Sequence, residues 1–200
     1  MLRSLLFVPA TSERKLEKAF ASAAHAVIVD LEDAVAVSEK PAARATIAAI
    51  AARQWPLPCW VRINATSTRF CLQDIMATTV AGIAGIILPK VEAAGEVAMV
   101  DWLMSQIEAE RGLTDRQVGL MAIIETARGL ANVDAIAAAS PRLRRLLFGA
   151  VDLAADLAIG TDDDAIAPAR FMIATASRSA GLEPPLDTAY TDIPNLDGLR

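Results

Sequence analysis

The sequence predicts an α/β protein built on a parallel sheet, and within that class a (β/α)8 TIM-type barrel. Three observations carry the prediction. Apolar runs of about five to seven residues recur along the chain, each followed by polar residues, which is how strands buried on both faces read. Helix-like segments separate these runs, so strand and helix alternate throughout, the order that gives right-handed crossovers between parallel strands. No G-x-G-x-x-G turn follows any of the runs, which disfavours a dinucleotide-binding sheet.

The elements follow in order. Residues 4–9 are apolar and form a first strand. Residues 13–24 carry a helix pattern opened by Thr11 and Ser12, both good N-caps. AVIVDL at 26–31 is a second strand, and 41–53 is an alanine-rich helix with Pro41 at its start. CWVRI at 59–63 is a third strand, 72–80 a short helix, GIIL at 85–88 a fourth strand and 93–111 a long amphipathic helix. GLMAII at 119–124 is a fifth strand, 130–139 a helix, LLFGA at 146–150 a sixth strand, 165–179 a helix and 185–189 a seventh strand. Closed barrels have eight strands and typically about 250 residues. The chain therefore reads as one barrel domain over residues 1–200, with a C-terminus shorter than eight strands would need.

Composition narrows the function classes. Two hundred residues suffice for one large core. Hydrophobic residues make up 54% and the mean hydropathy is +0.38. No apolar run approaches the roughly 20 residues of a spanning helix, so no membrane partner is expected. Residues 1–9 are too short for a signal peptide. Cys59 and Cys71 lack metal-type spacing, and two plain thiols suit a cytoplasmic protein. The net charge is −5 and no basic stripe exists, so no nucleic acid is expected as a partner. The densest basic group, Arg142, Arg144 and Arg145, reads as a solvated helix-to-strand loop.

The strongest functional signal is positional. Asp30, Glu32 and Asp33 close the second strand, Arg62 and Asn64 the third, Lys90 the fourth, Glu125 the fifth and Asp152 the sixth. In a parallel barrel those ends meet on one rim, where active sites lie. The rim holds no histidine. His25 precedes the second strand and reads as a surface or structural residue, so a His-ligated zinc or a Ser-His-Asp triad is hard to assemble. Glu125 and Asp152 offer hard oxygen ligands of the kind that suit Mg²⁺, which completes its octahedron with water and substrate oxygens. The rival reading is that each caps the helix that follows. Arg62 is a fixed positive charge able to bind a carboxylate or steady an oxyanion, and an ion pair with Glu32 or Asp33 would orient it. Lys90, just past Pro89, suits a supporting lysine better than a Schiff-base nucleophile.

Seven segments together resemble the citrate lyase beta-subunit-like family, metal-dependent aldolases that include citryl-CoA, malyl-CoA and citramalyl-CoA lyases. They are RSLLFVPA at 3–10, VDLEDAV at 29–35, EKPAAR at 39–44, VRIN at 61–64, ILPKVE at 87–92, IETARGL at 124–130 and FGAVDLAADL at 148–157. The resemblance implies a phosphoenolpyruvate/pyruvate-type barrel, Mg²⁺ held by Glu125 and Asp152, substrate contacts from Arg62 and Glu125, and a catalytic group of Arg62, Glu32 and Asp33 in which the two carboxylates support Arg62 and ordered water near the site. It implies a carbon–carbon lyase that splits a β-hydroxyacyl-CoA, or an acyl-carrier thioester, into a 2-oxo acid and an acyl thioester, and it implies a homo-oligomer. Two other readings stand beside it: a 2-oxo-acid aldolase that needs no CoA, and a non-catalytic or truncated partner subunit. Against the family pattern, Ala10 replaces a usual glycine, the glycine after DLAADL is delayed to Gly160, and the usual C-terminal segment is lacking.

Overall fold

The computed structural model describes residues 2–189 and Pro194. Among these residues six strands form one sheet in sequence order, every neighbouring pair parallel: β1 (Leu5–Pro9), β2 (Ala26–Asp30), β3 (Cys59–Arg62), β4 (Gly85–Leu88), β5 (Gly119–Ile124) and β6 (Leu143–Phe148). The helices between them are α1 (Glu13–Phe20), α2 (Lys40–Ala52), α3 (Cys71–Thr78), α4 (Ala94–Glu110), the short pair α5 (Ala127–Ala131) and α6 (Val133–Ala137), then α7 (Ala150–Leu157) and α8 (Asp163–Ser179). The alternation is the one expected. The seventh strand is present as one parallel bridge, Leu147 to Leu186, in which Leu186 donates its N–H to the Leu146 carbonyl and accepts from the Phe148 N–H. Residues 190–200, Pro194 apart, lie outside the described residues.

The period of two along each strand sorts side chains into two cores. Val27 and Val29 of β2, Leu31 just after it, and Leu120, Ala122 and Ile124 of β5 point outward into the main core under the helices. Ala26, Ile28, Trp60, Ile87, Met121, Ile123 and Leu147 point inward and form a second, smaller cluster. The inner layer matches a large residue to small neighbours. Trp60 is in register with Gly85, and Gly85 with Gly119. A β-carbon on Gly85 would lie 2.1 Å from the Trp60 ring, and one on Gly119 would lie 3.0 Å from it. The two strand-initial glycines thus clear the volume that the indole fills.

Three expectations need correction. The predicted helix over 130–139 is two short helices that begin earlier, because Thr126 caps α5 by accepting the Gly129 N–H. The sixth strand begins and ends earlier than expected, so Asp152 sits in the first turn of α7 rather than on a strand end. The basic group at 142–145 is not a solvated loop: Arg142 and Arg145 are each 2% exposed. Arg142 is enclosed by α4 carboxylates, and Arg145 points into the inner layer, where it pairs with Glu183 and donates to the Leu2 carbonyl.

Candidate active site

The C-terminal rim of the sheet gathers the expected polar residues. Arg62 ends β3 directly beside Asp30, its register partner on β2. Its guanidinium donates two parallel bonds to that carboxylate, Nε to Oδ1 at 2.8 Å and Nη2 to Oδ2 at 2.7 Å. Asp30 is fixed in turn by the backbone N–H groups of Glu32 and Ala34, each at 2.9 Å. The third guanidinium nitrogen faces Glu32 at 3.2 Å and Asp33 at 3.6 Å. The flat face of the group lies over the Phe7 ring, 4.9 Å from its centroid. Arg62 is thus clamped by carboxylates on its edge and by an aromatic ring below. The expected partners, Glu32 and Asp33, are in reach, but Asp30 is the main one.

Glu125 follows β5 and is 3% exposed. Its Oε1 accepts the Lys90 backbone N–H at 2.8 Å. Its other side packs on bare backbone: a β-carbon at Gly149 would lie 2.5 Å from Oε2. Gly149 therefore makes the space that Glu125 occupies, a requirement hidden in the sequence because a glycine at a strand-to-helix junction has many uses. Asp152 is half-exposed, its side chain at 43%. Neither carboxylate caps its own helix: α5 is capped by the Thr126 hydroxyl, and Gly149 at the start of α7 receives no side-chain cap bond. Lys90 joins these groups. Its ammonium is 2.7 Å from Glu32 Oε1, 3.7 Å from Asp33 and 3.9 Å from Asp152.

The electrostatics of the rim are unbalanced. Burial pushes the Glu125 carboxyl up to about 7, and the nearby charges of Glu32 and Asp152 add to this against the opposing Lys90 N–H. Burial also raises Glu32, which Lys90 and Arg62 only partly offset. The bonds and charge of Arg62 overcome burial at Asp30 and hold it below the usual carboxylate range. A cation beside Glu125 would favour its ionised form, so the chemistry of the donors fits a hard, oxygen-seeking metal ion. Among the described residues no group of three or more His, Cys, Asp or Glu side chains is arranged to hold a metal ion, so the protein side of a metal site here would be the two carboxylates Glu125 and Asp152.

Beside this cluster lies a cavity of about 240 Å³ lined by Arg62, Glu125, Asp152, Phe7, Gly149 and Asp187 among others. Asn64, by contrast, faces away into a structural network, donating to the Leu31 carbonyl and to the buried Asp74, which also binds Arg44. His25 lies at the opposite end of the sheet, bonded to Ser4. Burial pushes the Cys59 thiol up to about 12 and the Cys71 thiol to about 11, which leaves neither suited to nucleophilic work.

The profile of the HpcH/HpaI aldolase/citrate lyase family matches residues 3–200. The chain belongs to that family. As a member of the HpcH/HpaI aldolase/citrate lyase family, it is 40% identical over 164 residues to the L-malyl-CoA/beta-methylmalyl-CoA lyase of Rhodobacter capsulatus, an alignment covering 80% of this chain and 51% of the relative. It is 34% identical over 202 residues to the citrate lyase subunit beta of Haemophilus influenzae, covering 98% of this chain and 68% of that protein. The chain thus spans about half the length of the first relative and two thirds of the second. The crystal structure of CitE from Mycobacterium tuberculosis in complex with magnesium, acetoacetate and coenzyme A superposes with a TM-score of 0.78 at 32% identity, over 99% of this chain and 70% of that one. Among the described residues no helix is long and apolar enough to cross a membrane.

Proposed function

We propose that the chain is a Mg²⁺-dependent carbon–carbon lyase acting on a β-hydroxyacyl thioester of the citryl-, malyl- or citramalyl-CoA type. The observation that carries the reading is the meeting, around one rim cavity, of a buried Glu125, the carboxylate of Asp152 and a clamped Arg62. The family membership and the likeness to a malyl-CoA lyase and a citrate lyase beta subunit support the substrate class, and a relative bound to magnesium and coenzyme A supports both cofactor and thioester.

Glu125 and Asp152 would hold the metal ion. When bound, Mg²⁺ supplies positive charge against the substrate carboxylate and the neighbouring oxygen that becomes the ketone. Arg62 faces the same cavity, and its role is electrostatic. As the carbon–carbon bond breaks, the electron pair moves onto the thioester as an enolate, and a guanidinium already fixed by Asp30 offsets that charge without having to reorganise. Glu32 and Asp33 hold the third guanidinium nitrogen in place and order water at the mouth. The hydroxyl gives up its proton as its oxygen becomes the ketone, the hydroxyl carbon leaves as the 2-oxo acid, and the enolate carbon takes a proton to give the acyl thioester.

A cleavage screen over citryl-, malyl- and citramalyl-CoA tests this. Turnover should require Mg²⁺, vanish with a chelator, and fall in Glu125→Gln and Asp152→Asn together with Mg²⁺ affinity measured by calorimetry. Unchanged affinity in both variants would remove the metal assignment. Turnover confined to free 2-oxo acids would replace the thioester with an aldolase substrate. We also read the enzyme as a cytoplasmic homo-oligomer. Leu6 of the edge strand β1 is 42% exposed on the outer face, and sheet edges of this kind seek cover. Light scattering across a wide dilution range decides: a stable 21.1 kDa particle excludes self-association.

A further inference from the structure

Lys90 touches more of the rim than any step of the proposed reaction requires. Its backbone holds a φ of +51°, a left-handed conformation that side chains with a β-carbon rarely adopt. That conformation does two things at once. It aims the main-chain N–H at Glu125 Oε1, 2.8 Å away, and it turns the side chain across the rim toward β2 and α7. One residue thereby contacts both proposed metal ligands, Glu125 through its main chain and Asp152 through its ammonium, as well as Glu32 and Asp33. The two halves of the contact differ in freedom. The main chain is tied to the end of β4, while the side chain is 38% exposed on a flexible four-carbon stem whose head can swing to water.

The charge balance gives the ammonium its task. Asp30 occupies two nitrogens of Arg62, so Glu32 and Asp33 share the remaining guanidinium edge, and Glu32, Asp33 and Asp152 share the Lys90 ammonium. The buried Oε2 of Glu32 makes no hydrogen bond and has only the ion pair with Arg62, 3.2 Å away. A divalent ion on Asp152 and Glu125 would meet the ammonium at the same carboxylate, and two cations at that separation repel.

We propose that Lys90 is the internal competitor of the metal: its ammonium gathers Glu32, Asp33 and Asp152 in the metal-free protein and is expelled toward solvent when the divalent ion binds, while its backbone N–H keeps Glu125 in place throughout. The inference rests on the assignment of Glu125 and Asp152 as metal ligands. It makes Lys90 a residue that sets metal affinity and orders the metal-free rim, with no covalent part in the reaction.

The test is Mg²⁺ and Mn²⁺ binding by calorimetry to the wild-type chain, Lys90→Met and Lys90→Arg. Lys90→Met keeps the stem and the main chain but removes the competing charge, so it should bind metal about tenfold more tightly. Lys90→Arg keeps the charge and should stay within a few-fold of wild type. In chelator, Lys90→Met should melt at a lower temperature than wild type, and added Mg²⁺ should raise its midpoint by more. Independently of any variant, amine labelling of the wild-type chain read by mass spectrometry should increase several-fold at Lys90 when Mg²⁺ is added. Metal affinity that is equal or weaker in Lys90→Met, or labelling of Lys90 that does not rise, overturns the proposal while leaving the metal site standing. A wild-type chain that binds no divalent ion removes the metal assignment, and the proposal with it.

Discussion

Two arginine-centred clusters sit at opposite ends of the sheet and behave differently. At the N-terminal end, Arg142 precedes β6 and its side chain is fully buried. Its guanidinium makes five bonds: to Asp101 at 2.6 Å, to both Glu108 oxygens at 2.8 and 2.7 Å, to the Val118 carbonyl at 2.7 Å and to Ser105 at 2.8 Å. Its carboxylate partners are satisfied as well, Asp101 by Ser140 and Glu108 by the N–H groups of Arg116 and Val118. Against the cost of burial, these bonds hold Asp101 and Glu108 below the usual carboxylate range. At the C-terminal end Arg62 is equally well clamped, but more carboxylates surround it than it can serve, and Glu32 and Glu125 are pushed up rather than down. A saturated cluster welds α4 to the strand starts. A cluster short of positive charge is arranged for an incoming one, which agrees with the division of parallel barrels into a stability face and an active face.

That division can be broken by four measurements. The largest effect is expected from Arg142→Met. It strands the buried Glu108 carboxylate and the half-buried Asp101 and should lower unfolding free energy by about 3–5 kcal/mol in denaturant titration, with Mg²⁺ affinity of the folded protein unchanged. A parallel loss of metal affinity would mean that the two ends are coupled. Next comes Arg62→Lys, which keeps the charge but loses the two-pronged hold on Asp30. Turnover should fall roughly 100-fold with metal affinity largely retained, as read by steady-state kinetics beside calorimetry. Wild-type kinetics would remove Arg62 from the mechanism.

Gly149→Ala is a subtler probe of the active end. The new methyl group would fall 2.6 Å from the Glu125 β-carbon, so the carboxylate must shift. Metal affinity should drop about tenfold or more, the scale of losses seen when a ligand's support is disturbed.

The smallest effect sharpens the comparison through pH. The folded chain holds the Glu125 proton more tightly than the unfolded chain does. Metal-free stability should therefore fall as pH rises from the ordinary glutamate range to about 7, by no more than about 1.4 kcal/mol per pH unit for one proton. Glu125→Gln should flatten that slope. At the other end the sign reverses. Asp101 and Glu108 contribute stability that is complete above the ordinary carboxylate range and is lost as pH falls through their depressed values. Chemical unfolding across pH 3–8 in chelator separates the two limbs.

Much of this was legible along the chain because it depends on local order. Runs such as AVIVDL and GLMAII declare strands buried on both faces, and their alternation with helices fixes a parallel sheet whose strand ends share a rim. That is why the sequence pattern alone puts Glu32, Arg62, Lys90, Glu125 and Asp152 on one face. What a residue touches there is set by register and by the shape of neighbouring backbone, which no spacing encodes. Arg62 chooses Asp30 over Glu32 because parallel pairing sets those two side by side. Arg142 is buried because α4 lays Asp101 and Glu108 against it, although in the sequence it looks like part of a charged loop. Lys90 reaches three carboxylates from two other elements because its backbone turns left-handed at the end of β4. The sequence by itself determined the sheet and its polar rim, since both follow from periodicity. Only the tertiary structure decided which charges are balanced and which are left waiting, because the energy of a buried charge depends on every group brought within a few ångströms of it, whatever their separation along the chain.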